Sequence, residues 1–299
     1  SAKSVNLFIN GVYQGVYGLV ESVKIANGRV PLNDVNIENY KKGTNFDEYG
    51  YLLEVNTRLD EEFNFVTNYD SSKSIEENRD CVAFSLKEPT SSDIEDVLSL
   101  RYGKTEGMKL AESVKDYIKT YINDVHAKLY SDDFTNVDSD NYYGDYLDVD
   151  SFVDWWITYE LTGNTETKHP KSTYVYKDKG GKLKAGPVWD FDWKTYRLNN
   201  EEWVTKTHLY YDVLFTDPVF VAAVKERWNL YEAKLRAIPQ FIEAEARRIR
   251  NSEEVNHQMW PVTQNTNEDI NLSFSEAVAR MKMSYEAKLE FMDKEIANL

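Results

Sequence analysis

Apolar and polar positions alternate along the first third of the chain, whereas later segments repeat their apolar residues at helical spacing. VNLFIN and VYQGVYGLVE flank Asn10-Gly11, a pair that tolerates the positive φ angles of a tight two-residue turn, so a hairpin is expected there. GYLLEVN (50–56), EFNFVTN (62–68) and CVAFSLK (81–87) are short, aromatic or branched, and bounded by Asp, Asn, Ser or Pro. These strands are expected to form one antiparallel sheet. From Ser91 the period changes, and Met108, Val114, Tyr117, Ile118, Tyr121, Ile122 and Val125 predict a long amphipathic helix over most of 105–130.

A further helix is predicted from about Asp150, with Ser151 and Asp154 spaced as a capping box and Gly163 as its C-terminal stop. Glu160 falls on its apolar face beside Trp156, where a carboxylate needs a partner. A second hairpin, STYVYKD with GKLKAGPVW, turns at Gly180-Gly181, and WDFDW is expected to end its second strand. Three helices should follow, over DPVFVAAVKERWNLYEAKLRA, PQFIEAEARRIRNS and FSEAVARMKMSYEAKLEFMDKEIANL. The expected fold class is α+β in one domain (1–299), with a strand-rich lobe over 1–90 and a mainly helical lobe over 91–299.

Composition narrows the function. The 299 residues are 41% hydrophobic, enough for a sizeable core, and no apolar run is long enough to span a membrane. A formal charge of −16 argues against a nucleic-acid partner, because tracking phosphates requires a basic surface. The single cysteine, Cys81, excludes an intrachain disulfide and reads as a small buried hydrophobe. The acids of FTNVDSDNYYGDYLDVD miss the spacing of a calcium loop, and a solvated loop is expected instead.

The candidate chemistry lies in order rather than in any one motif. A helix ends at the acid-bearing loop NTETKHPK, a hairpin follows, and a D-F-D triplet comes after it, an order that matches the core of kinase-like phosphotransferases. On that mapping Asp190 is the metal aspartate, Asp192 a second metal carboxylate, and Glu166 the catalytic-loop acid. Lys171 stands where an asparagine ligand is expected, and offers a point charge to a phosphate or to the acids. Lys87, in SLKEP, is the basic candidate within the sheet for a nucleotide phosphate, its alternative being an edge-protecting lysine. Gly11, Gly15 and Gly18 echo a phosphate-cradling loop, but the hairpin alone accounts for Gly11. Glu160, Asn164, His169 and Trp193 are the candidate supporting residues.

The ordered set GVYQGVYGLVE, YLLEVN, SLKEP, DSFVDWWITYELTGN, KSTYVYKDKGGKLKAGPVWDFDW and DPVFVAAVKERW resembles the spore-coat protein H (CotH) family of atypical kinases over nearly the whole chain. The resemblance implies a kinase-like fold, with an antiparallel-sheet N-terminal lobe, a mainly helical C-terminal lobe and a β-hairpin at the site. It further implies ATP with Mg or Mn as cofactors, phosphorylation of a protein hydroxyl, and an extracytoplasmic setting. Asp190 matches the metal aspartate of the family's WDxD motif, and Glu166 lies where the family has a catalytic aspartate. Glu for Asp, and Lys171 for Asn, are departures. They keep open a non-catalytic module on the same scaffold that binds a glycan or an envelope protein. The resemblance leaves open a phosphate-gripping lysine and a targeting signal upstream of Ser1.

Overall fold

The computed structural model describes residues 2–299 except 33–36, 38–39, 60, 69–71, 75–79, 169–170 and 200. Its strands are β1 (Ala2–Ile9), β2 (Val12–Val20), β3 (Tyr51–Val55), β4 (Asn64–Val66), β5 (Ala83–Glu88), β6 (Thr173–Lys177) and β7 (Leu183–Ala185). Its α-helices are α1 (Ser91–Tyr102), α2 (Lys104–Leu129), α3 (Val149–Thr162), α4 (Tyr211–Leu214), α5 (Pro218–Arg236), α6 (Ile238–Met259) and α7 (Phe274–Ala297). The protein is therefore mixed α and β, with antiparallel pairing throughout its named strands.

The strands do not all join one sheet. β1 and β2 pair only with each other, whereas the five-stranded sheet runs β4-β5-β3-β6-β7. Asn10 (φ 51) and Gly11 (φ 81) make the expected turn of the isolated hairpin. That hairpin docks on α6: Val16 N–H donates to Asn256 Oδ1 (2.9 Å) and Trp260 Nε1 donates to Gln14 O (2.9 Å). Gly15 is required by this contact, since a Cβ there would sit 2.5 Å from Asn256 Oδ1 and the backbone has φ +117. Its role is close packing on a helix.

The hairpin β6–β7 extends the same sheet as β3 and β5, so strands from both halves of the chain share one sheet. β3 lies at its centre and is buried along its whole length, Glu54 included. On the helical side, α1 and α2 pack closely because Gly107 leaves room for the Ser99 backbone. Val114, Ile118, Ile122, Val125 and Leu129 carry the buried face of α2.

Nearly every side of α3 is covered: Phe152, Val153, Trp155, Trp156, Ile157, Tyr159, Glu160 and Leu161 are all buried. Its N-cap is Asp148, whose side chain accepts from Ser151 N–H, rather than the Ser151–Asp154 box expected from spacing. An acid at Asp148 also faces the positive end of the helix dipole, so it serves both capping and charge. Gly163 ends the helix in the left-handed region (φ 64), as the sequence predicts. In the loop before α3, Asp133 accepts from Ser131, Ser139 and Asn141, which closes the loop on itself.

Candidate active site

Gly163 turns the chain out of α3 directly into Asn164, which is completely buried. Asn164 Oδ1 accepts the Glu166 N–H (2.8 Å), and Asn164 Nδ2 donates to Asp190 O (2.9 Å). One amide thus fixes both the acid loop and the aspartate loop, which are far apart in sequence. A second tie comes from Tyr159, whose hydroxyl donates to Trp189 O (2.9 Å) and accepts from Trp189 N–H (3.2 Å). Burial pushes the Tyr159 phenol up, so the hydroxyl stays a donor. Its ring stacks on Trp155 with centroids 3.8 Å apart and lies 5.0 Å from Phe191.

WDFDW is not the end of a strand. β7 stops at Ala185, the Gly186–Pro187 bond is cis, and the motif runs on as an irregular loop. Asp190 itself is left-handed (φ 65), a conformation that aspartate tolerates better than most residues. Tyr196 N–H then donates to Thr162 O (3.0 Å), returning the loop to the end of α3. The left-handed backbone at Asp190 is incompatible with strand pairing, so the motif lies outside the sheet.

Glu166, Lys171, Asp190, Asp192 and Trp193 line one cleft of about 820 Å³. Glu166 is buried in its wall, Asp190 is half-buried, and Asp192 is exposed. The Asp192 carboxyl is held above its usual range, first by a hydrogen bond with the Asp190 carboxyl, then by burial and by the Asp190 charge; Lys171 pulls the other way. Two carboxyls brought this close favour a cation beside them. Trp193 has Lys194 Nζ 4.2 Å above its ring centre.

The remaining candidates lie elsewhere. Lys87 is absent from the residues that line the cleft. Its Nζ is paired with Glu54 (3.2 Å) and with Glu61, and Glu54 also accepts the Ser172 N–H (2.8 Å). Burial opposes the Lys87 charge, but the two carboxylates outweigh it and its pKa is raised. Glu160 is fully buried and absent from the cleft lining; it accepts from Val204 N–H (2.7 Å), Thr205 N–H (2.8 Å), Thr205 Oγ1 (2.7 Å) and Lys288 Nζ (2.7 Å). It fastens the segment after WDFDW to α3 and α7. His169 lies outside the described residues.

Two parts of the cleft escape sequence reasoning. Thr57 and Arg58 enter from the end of β3, and Val262, Gln264, Thr266, Asn267 and Asp269 enter from the α6–α7 connection. Asn267 Nδ2 donates to Asp192 O (2.7 Å), and its Oδ1 is buried with no hydrogen-bond partner among the described residues. The neighbouring Glu268 holds the connection in place by accepting from Arg197 Nη2 (3.0 Å) and Leu198 N–H (3.3 Å). Neither segment is periodic or carries a motif; a polar run between two strong helices is the only trace.

Among the described residues no three His, Cys, Asp or Glu side chains are grouped to hold a metal. The two aspartate carboxyls, with an orphaned amide oxygen nearby, are instead the oxygen donors here that would fit a hard divalent cation. The fold and this cleft define an α+β protein with an acidic, cation-edged site. Residues 1–296 match the sequence profile of the CotH kinase protein family, and the chain belongs to that family, a kinase-like domain. A comparison with curated proteins gave no match.

Proposed function

We propose that the cleft transfers the γ-phosphoryl group of ATP to a protein hydroxyl, with Asp190 and Asp192 holding Mg or Mn. The observation that carries this reading is the meeting of Glu166 with the neighbouring Asp190 and Asp192 carboxyls in one cleft. When bound, the divalent ion supplies neutralisation of phosphate charge. The chain's own residues do the rest. Glu166 accepts the proton of the acceptor hydroxyl as its oxygen forms a bond to the γ-phosphorus; the bond from that phosphorus to the bridging oxygen breaks, and ADP leaves with the electron pair. Asn164 keeps acid and aspartates in register, which matters because misplacement on the order of 1 Å is costly to transfer.

Glu166 has one methylene more than the aspartate that the family places there. Its burial in the wall, with its backbone N–H held by Asn164, supports a set reach rather than a loose one. The test is metal-dependent transfer of labelled γ-phosphate to a protein acceptor, using full-length protein and Mn. Asp190→Ala should reduce the rate by about a hundredfold or more, the scale of losing a main electrostatic contact. Absence of metal-dependent nucleotide binding in the wild type, together with no transfer, would refute the reading.

A further inference from the structure

We propose that Arg58, acting with Lys171, is the phosphate-binding cation of this cleft. The proposal rests on the phosphotransfer reading and names a residue for it that no motif marks.

Strand register carries the argument. β3 and β6 are antiparallel neighbours, and Val55 pairs with Thr173. The chain leaving β3 through Asn56, Thr57 and Arg58 therefore lies at the same sheet end as the chain entering β6 through Lys171 and Ser172. Asn56 is buried, and its side chain accepts the Arg58 N–H (3.0 Å), so the backbone at Arg58 is fixed by a local turn. Both cations line the cleft that also holds Glu166, Asp190, Asp192 and Asp269. The acids would repel a bare polyphosphate, and a metal ion neutralises only part of its charge. A positive edge is what lets such a ligand enter an acidic site.

The two cations are also available. Among the described residues, neither the Arg58 guanidinium nor the Lys171 ammonium has an ion pair or hydrogen bond. Lys87 is the contrasting case: it is held by Glu54 and Glu61, and withdrawing it would leave the buried Glu54 short of a cation. Arginine further presents paired donors that match two phosphate oxygens, a geometry a lysine cannot reproduce.

The test is calorimetric titration of the full chain with ATP, ADP and adenosine in the presence of Mn, comparing wild type with Arg58→Gln and Lys171→Gln. Arg58 is exposed, so the substitution leaves the core intact. ATP and ADP affinity should fall about tenfold or more in Arg58→Gln, the scale of a lost charge-assisted hydrogen bond, while adenosine affinity changes less than about twofold. Lys171→Gln should show the same selectivity with a smaller loss. If wild type binds ATP and Arg58→Gln matches it, the assignment fails while the phosphotransfer reading survives. An equal loss for adenosine would also overturn it, placing Arg58 against the base. If wild type binds no nucleotide with Mn, both fail.

Discussion

At the scale of single residues, Glu160 shows how a charge is kept inside this protein. Its oxygens receive the Val204 and Thr205 N–H groups, the Thr205 hydroxyl and the Lys288 ammonium, all out of contact with water. Burial presses the Lys288 pKa down, and Glu160 opposes that shift. Glu160→Gln removes the negative charge and leaves the ammonium buried, so it should cost about 3 kcal/mol in urea unfolding, within the usual scale for breaking one side of a buried pair. A loss under about 1 kcal/mol would mean that water reaches the pair. That Glu160 faces inward is legible from its spacing on α3. Its partners are not, because Thr205 and Lys288 stand 45 and 128 residues along the chain. The same limit hid Arg58 and Asn267: both reach the cleft through loops, where no period signals a neighbour.

At the scale of elements, periodic segments were legible and their arrangement was not. The spacing of Val114, Ile118 and Ile122 gives α2 directly, and Asn10-Gly11 gives the first turn. Nothing local in TYVYK says that it pairs with YLLEV, since both are short apolar runs that fit any central position. The separation of β1–β2 from the main sheet is equally silent, being decided by Asn256 and Trp260 on a distant helix. Helix pairing does leave one local mark, at Gly107. A Cβ there would lie 2.3 Å from Ser99 Cα and 2.4 Å from Ser99 N, and these are backbone atoms that cannot swing aside. Helix propensity alone predicts that Gly107→Ala stabilises by about 1 kcal/mol. The packing predicts net destabilisation of about 1–3 kcal/mol as α1 and α2 are forced apart. A melting temperature lowered by several degrees supports close packing; one unchanged or raised would refute it.

At the scale of the whole molecule, acid should weaken the fold through His126 even as it relieves the formal charge of −16. His126 is buried on α2 between the rings of Tyr130 (4.7 Å) and Tyr210 (5.8 Å). Burial lowers its pKa to about 4 from an ordinary 6.5, so the folded state holds it neutral where the unfolded chain takes up a proton. Stability from this group is therefore fully present above about pH 6.5 and declines as pH falls toward about 4, below which both states are protonated. The gap corresponds to at most about 3 kcal/mol. Protonation of acids across the same range changes stability as well, so wild type alone does not isolate the effect. His126→Phe does, because it keeps a ring between the two tyrosines and removes the titrating nitrogens. Urea unfolding at intervals from pH 7.5 to 4.5 should show the difference in stability between variant and wild type moving in the variant's favour as pH falls. A difference that stays constant with pH would mean that His126 titrates alike in both states and is not held neutral by the fold.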